Sequence, residues 1–149
     1  MSTTAAGPLT PEESFTWRCF LRWSEAVTSV VERKLVEDVA VSQADYSILV
    51  RLAEAGGTIP RQTLETSLSW SASRLSHQLA RMEARGLLRR ANAGVGRNIN
   101  VELTVVGSDL FEAAEVIHGD AVRADFLSTL PRAVAEFFQR VGAECGAGA

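Results

Sequence analysis

The chain has 149 residues, of which 46% are hydrophobic, and a formal net charge of −3, which predicts one globular domain with a sizeable core. No apolar run approaches the ~18 residues of a membrane span, and the N-terminus lacks the basic start and apolar core of a signal peptide, so we expect a cytoplasmic protein with no membrane partner. The two cysteines do not make a disulfide framework and the two histidines lie far apart, so we expect neither a metal site nor another cofactor.

The first predicted element is a long helix over residues 12–37, preceded by a disordered N-terminus over residues 1–11. Its apolar side chains recur at three- and four-residue steps, as on one face of a helix. They are Phe15, Phe20, Val27, Val30, Val31 and Leu35, widened by Trp17, Leu21 and Trp23. Because this aromatic surface exceeds what one small domain can cover, we expect the helix to pack against a second copy of the chain.

Two shorter helices are predicted next. The first covers residues 42–55, with Ser42 as N-cap, Asp45 three residues later and Gly56-Gly57 at its end. The second begins at Pro60, which suits the first turn of a helix. Its inward-facing residues are Leu64 and Leu68.

A basic helix follows the tight turn at residues 69–71. Ser71 is its candidate N-cap and Gly86 its stop. The core-facing stripe of this helix consists of Leu75, Leu79 and Met82, and the residues expected off the stripe are Arg74, His77, Gln78, Arg81 and Arg85. Residues 71–97 contain six arginines and one acid, a local charge of +5 on a body of −8. Since compensating acids along the helix are largely absent, this segment resembles a polyanion-binding surface.

The periodicity changes after Gly86. Residues 87–90 and 99–104 are predicted to form a short hairpin with Arg97 near its tip, since apolar and polar residues alternate in the second run. Thr104 then caps a helix to about Phe126 or Leu127. A last helix opens at Pro131, with apolar residues Val134, Phe137, Phe138 and Val141.

This order of elements predicts a helix-turn-helix followed by a β-hairpin wing. A helix fits the DNA major groove, where residues at its N-terminal end reach base edges. The expected base-contacting residues are Ser71, Ser73, Arg74, His77 and Gln78. The arginines of the wing suit phosphate or minor-groove contacts; they are Arg89, Arg90 and Arg97. Arg81, farther along the helix, is a further expected DNA-binding residue.

The central stretch "LSWSASRLSHQLARMEARGLLRR" and the later "LTVVG" resemble the turn, recognition helix and post-wing motif of the MarR family of bacterial transcription regulators. The resemblance covers roughly residues 12–143. It implies a mainly α fold with a small β-hairpin wing: a winged helix-turn-helix lobe, residues 42–104, flanked by dimerisation helices, residues 12–37 and 105–143, and a frayed tail, residues 144–149. It also implies a homodimer shaped like a triangle, which should bind an inverted-repeat operator in double-stranded DNA.

The sequence departs from the family pattern in the turn, the recognition helix and the wing. Ser69 stands where the turn of relatives has glycine, and since serine adopts a left-handed conformation only at some energetic cost, we expect the turn to be built slightly differently. His77 stands where arginine is common in relatives, which should change the base preference. The wing keeps Arg97 but lacks the usual aspartate, which puts the internal brace of the wing in doubt.

Several residues could carry a regulatory role. The aromatic residues Trp17, Phe20, Trp23 and Tyr46 could line a cavity for a small-molecule effector, although for each residue alone core and interface packing is the favoured interpretation. Cys19 lies close to the position of the reactive cysteine in the hydroperoxide-sensing branch of the family, whereas a lone cysteine is more commonly buried. His118 is expected on a helix surface.

The leading hypothesis is a dimeric DNA-binding repressor that a small-molecule ligand releases from its operator. The alternatives are a thiol-based redox-sensing regulator that uses Cys19 and a winged-helix protein-interaction module that has lost DNA binding. We find no nucleophile motif, pair of catalytic carboxylates or phosphate-binding loop in the sequence, so we do not expect an enzyme.

Overall fold

The computed structural model describes residues 7–92 and 99–146, and it confirms a mainly helical fold with a small β-sheet wing. The elements in chain order are α1 (Pro11–Val39), α2 (Gln43–Glu54), β1 (Thr58–Pro60), α3 (Arg61–Leu68), α4 (Ala72–Ala84), β2 (Leu88–Asn92), β3 (Ile99–Leu103), α5 (Val105–Asp125), a 3-10 turn (Leu127–Thr129) and α6 (Arg132–Gly146). Within these ranges, no helix combines the length and the apolar character that a bilayer crossing requires.

Side-chain caps fix where the helices begin. Ser42 and Asp45 cap α2 reciprocally, since the Ser42 hydroxyl accepts from the Asp45 N–H and the Asp45 carboxylate accepts from the Ser42 N–H. Thr104 caps α5 as predicted. Thr10 and Glu13 form a second capping box, so α1 begins at Pro11, one residue before the predicted start. Local hydrogen-bonding chemistry therefore determines these three helix starts.

The wing belongs to a three-stranded antiparallel sheet in the order β1-β3-β2. Strand β1 was not predicted, because three residues are too few to show alternation and Pro60 is its last residue. Pro60 instead serves as the N-cap position of α3, and Ile59 is the buried residue of the strand, opposite Val101. A proline is tolerated there because β1 is an edge strand.

The core lies between α1, α2, α4 and α5 and continues under the sheet. Its largest fully buried side chains include the predicted stripe of α4, Leu75, Leu79 and Met82, together with Leu35, Ile48, Leu49, Leu52, Leu64 and Leu88. Burial of each leucine-sized side chain contributes about 1.5–3 kcal/mol. The core-facing side of α4 is thus fixed by packing, which determines which of its residues point outward.

The first turn of α5 packs directly on the base of the wing. The Thr104 N–H donates to the Leu87 carbonyl at 3.2 Å, and its hydroxyl donates to the Gly86 carbonyl at 2.7 Å. Gly107 is buried against the Leu87 carbonyl. The contact is so close that a Cβ at position 107 would lie 1.9 Å from the Leu87 oxygen. A side chain at position 107 is incompatible with this contact.

The final helix keeps an apolar face toward solvent in the single chain. It runs to Gly146, beyond the predicted end at residue 143, so residues 144–146 continue the helix where a frayed tail was expected. Phe138 packs against Phe126, with ring centroids 6.2 Å apart, and Phe126 packs against Trp23 at 5.5 Å. Phe137 and Phe138 nevertheless remain exposed.

Candidate nucleic-acid interface

A left-handed residue and one arginine set the angle between α3 and α4. Ser69 ends α3 with φ 52° and ψ 37°, so the turn keeps a left-handed residue although serine stands in the place of glycine. Arg61 then links the two helices, since its Nη2 donates to the Ala72 carbonyl at 3.1 Å and to the Ser76 hydroxyl at 3.0 Å. Arg61 was not identified from the sequence, because its partners lie 11 and 15 residues away.

One face of α4 is exposed to solvent and carries polar and basic side chains. Ser73, Arg74, His77 and Arg81 all lie on it. The N-cap Ser71 is also exposed, and its hydroxyl accepts from the Arg74 N–H at 3.2 Å. The first N–H groups of a helix have no intrahelical partner and form a partial positive charge. The start of this face therefore suits a phosphate, and its side chains suit base edges.

Arg74 is held against an aromatic ring. Its guanidinium lies 4.1 Å from the centroid of Trp70, a cation–π contact that restricts the arginine without neutralising it. Trp70 itself is half-buried beside the core. The turn between α3 and α4 thus supplies the platform on which Arg74 rests.

Gln78 does not lie on the exposed face, so its prediction as a base-contacting residue is wrong. The side chain is 4% exposed, because position 78 is three residues from Leu75 and turns toward α2. Its Nε2 donates to the Asp45 Oδ1 at 2.5 Å, and its Oε1 accepts from the Arg81 Nη2. Both ends of the amide are occupied inside the protein.

Ion pairs neutralise several of the arginines in residues 71–97, so the folded protein presents less positive charge there than the sequence alone suggests. Arg85 pairs with Asp45 at 2.8 Å, and Arg89 pairs with Glu102 at 2.6 Å across the β2–β3 register. Arg90 donates from its backbone and its guanidinium to Glu83, and these hydrogen bonds hold the pKa of the Glu83 carboxyl below its ordinary value.

Most of these acids come from other elements, so a count along one helix missed them. Among the described residues, no carboxylate forms an ion pair with Arg74 or Arg81. These two arginines, flanking His77, are the main positive charges that the described part of the interface presents. Arg97, the predicted wing-tip contact, lies outside the described residues.

The four aromatic residues predicted to line an effector cavity lie at three separate places in the single chain. Trp17 stacks on Phe20, with centroids 5.6 Å apart, on the exposed face of α1, whereas Trp23 packs on Phe126. Tyr46 is buried between α2 and α5, where it stacks on His118 at 4.4 Å. Within the described residues, the four do not surround a common cavity.

His118 and Tyr46 form a stacked pair that the sequence did not indicate. His118 is half-buried, contrary to the expectation of a surface residue, and burial lowers the pKa of its imidazole below the ordinary value. Burial, with a smaller contribution from the charge of Glu115, raises the pKa of the Tyr46 phenol. Both rings therefore stay neutral near pH 7.

Cys19 is exposed on α1 in the single chain, so the expectation of a buried cysteine is wrong at this level of assembly. It lies on the same helix as the exposed Trp17 and Phe20.

Comparison with known proteins identifies transcriptional regulators that are similar to this chain. No protein-family model matches the chain. The transcriptional regulator HosA of Escherichia coli is 33% identical over 102 residues, which cover 68% of this chain and 74% of HosA. The crystal structure of AbsC, a MarR family transcriptional regulator from Streptomyces coelicolor, is similar with a TM-score of 0.83 and 31% identity, covering 97% of this chain and all of AbsC.

A second solved structure contains DNA. Sco3205, a MarR family transcriptional regulator from Streptomyces coelicolor, was crystallised in complex with DNA. It is 26% identical, with a TM-score of 0.87, and the match covers 98% of this chain and 92% of Sco3205. The relatives thus share both the winged-helix lobe and the flanking helices with this chain.

Proposed function

The chain belongs to the MarR family of transcriptional regulators, and from that premise we propose that it is a dimeric repressor that binds an inverted-repeat operator with the exposed face of α4. The observation that carries this proposal is the separation of the two faces of α4. Leu75, Leu79 and Met82 are fully buried, whereas Ser73, Arg74, His77 and Arg81 face solvent. No carboxylate in residues 7–92 and 99–146 compensates the charge of the two arginines.

Selection of DNA from a random duplex library tests this proposal. A two-fold dimer places two copies of α4 one helical turn apart, so the selected sequences should be inverted repeats with half-site centres about 34 Å apart. A protein-interaction module without DNA binding would enrich no sequence. The similarity to Sco3205, which was solved with DNA, supports the first outcome.

A dimer would cover the apolar surface that the single chain leaves open. On α1, the side chains of Phe15 and Trp17 are 64% and 52% exposed, and Phe20 and Leu21 are exposed as well. On α6, Phe137 and Phe138 are exposed. Exposed apolar side chains on two terminal helices are typical of an interface, and we infer that they are covered by the same surface of a second copy, as two-fold symmetry allows.

We predict that Phe20→Glu, combined with Phe137→Glu, converts the dimer into monomers, because two buried carboxylates in an apolar interface would be unpaired. Light scattering at micromolar protein concentration measures the mass. Glu112→Gln, an exposed change on α5, is the control and should leave the dimer intact. A wild-type protein that is folded and monomeric at this concentration would contradict the proposed assembly.

The release of DNA by a small molecule is the finer part of the proposal. The Tyr46–His118 stack lies where α2 of the DNA-binding lobe meets α5, so a ligand that parts or bridges these rings would change the position of α4 through α2. Screening aromatic acids for loss of operator binding tests this part, with His118→Ala as the variant expected to alter the response. If no compound changed operator binding, ligand-controlled release would be contradicted, and the protein would be a repressor that binds its operator constitutively.

A further inference from the structure

Gln78 joins a buried acid to an exposed arginine on the proposed DNA-binding face. Its amide lies between the Asp45 carboxylate and the Arg81 guanidinium. Asp45 is 4% exposed and belongs to α2. One chain of hydrogen bonds therefore joins α2 to the buried side of α4 and, through Gln78, to its exposed side.

Asp45 fixes which way the Gln78 amide points. A carboxylate only accepts hydrogen bonds, so the NH2 group of the amide must face it and the carbonyl oxygen must face the opposite way. The other Asp45 oxygen is already used, since it accepts from the Ser42 N–H at 3.0 Å and from the Arg85 Nη1 at 2.8 Å. The Gln78 Oε1 is therefore directed at Arg81 and cannot exchange places with the nitrogen.

Arg81 is restrained by this oxygen without losing its charge. Gln78 is neutral, in contrast to the carboxylates that pair with Arg85, Arg89 and Arg90. One N–H of the Arg81 Nη2 is used, which leaves four of the five guanidinium donors for another partner. An arginine that is already ordered loses less side-chain entropy when it binds.

We propose that Gln78, oriented by Asp45, is a positioning residue that presents the Arg81 guanidinium to a base edge, a role that rests on the proposed DNA-binding function. Gln78 does not touch DNA itself. Its effect on binding is exerted through the order of Arg81, and the specificity of the contact depends on a residue in the protein core.

The test uses Gln78→Met, which keeps the length and volume of the side chain and removes both hydrogen bonds. Titration with the duplex that the wild-type protein selects, and with a scrambled duplex, should show operator affinity lowered by about threefold to tenfold. The salt dependence should stay unchanged, because Arg81 keeps its charge. Arg81→Ala should instead weaken binding to the operator more than to the scrambled duplex, because the base contact is lost, and should also flatten the salt dependence, because a charge is lost. Gln43→Met, at an exposed position of α2, is the matched control and should bind as the wild type does.

A second measurement does not depend on DNA. In the protein alone, NMR should show slow rotation of the Arg81 guanidinium about its Nε–Cζ bond in the wild type and fast rotation in Gln78→Met. Gln78→Leu serves as the second variant if Gln78→Met does not fold. Rotation that is equally fast in wild type and variant overturns the positioning role, as does wild-type operator affinity in a variant that retains its fold. A wild-type protein that selects no duplex, yet shows slow Arg81 rotation, contradicts the DNA-binding function and leaves the hydrogen-bond chain in place.

Discussion

Replacing Gly107 by alanine should destabilise the protein by about 3 kcal/mol or more, the upper range for overpacking a buried site. The added Cβ would lie 1.9 Å from the Leu87 carbonyl oxygen and 2.8 Å from the Leu103 Cδ1. The first of these atoms belongs to the backbone, so α5 must move away from the base of the wing. Thermal unfolding at fixed protein concentration should show a decrease in Tm of about 6–12 °C.

Gly119→Ala is the matched control on the same helix. The nearest atoms to its Cβ belong to the flexible end of Arg123, at 3.4 Å, and alanine is favoured over glycine in a helix by about 0.5–1 kcal/mol. We expect Tm to be unchanged or slightly raised. If Gly107→Ala were as stable as Gly119→Ala, the close contact between α5 and the wing would be wrong.

Replacing both Arg74 and Arg81 by alanine should lower operator affinity by at least about 100-fold. Loss of one good base contact costs about 1–3 kcal/mol, and within the described residues these two arginines present the uncompensated charge of α4. The fold should be retained, because both side chains are exposed. Fluorescence anisotropy with operator and scrambled duplexes at several salt concentrations provides the affinities and the salt slopes.

Arg123→Ala controls for the change in net charge. Arg123 is 67% exposed and pairs with Asp120 on α5, so its loss should change operator affinity by less than about twofold. If the Arg74→Ala, Arg81→Ala variant kept the operator preference of the wild type, α4 would not be the recognition helix.

Helix starts, the core stripe of α4 and the family were predictable from the sequence, because each depends on local spacing. Ser42, Ser71 and Thr104 cap their helices as expected. The left-handed conformation of Ser69 was not predicted, because serine adopts it only at an energetic cost. Strand β1 was not predictable, since it exists only through its pairing with β3.

The details of the interface depended on contacts between distant residues. The prediction for Gln78 is wrong because a polar side chain need not be exposed: Asp45, 33 residues earlier, provides a buried partner. The charge of Arg85 and Arg89 was overcounted for the same reason, since Asp45 and Glu102 neutralise them from other elements. A helical pattern identifies the buried stripe, but it does not identify which polar neighbours have partners across the fold.

Base replacement in the operator tests most directly whether the exposed face of α4 contacts bases in the major groove. Substituting 7-deazaguanine for guanine, one position at a time, removes the N7 acceptor to which arginine donates. We predict that at one or more guanines of each half-site this change lowers wild-type affinity by about fivefold or more. At the same guanine, it should leave the affinity of either the Arg81→Ala or the Arg74→Ala variant unchanged. Equal losses for the wild type and both variants at every sensitive guanine, or no sensitive guanine at all, would contradict direct base contact by this face.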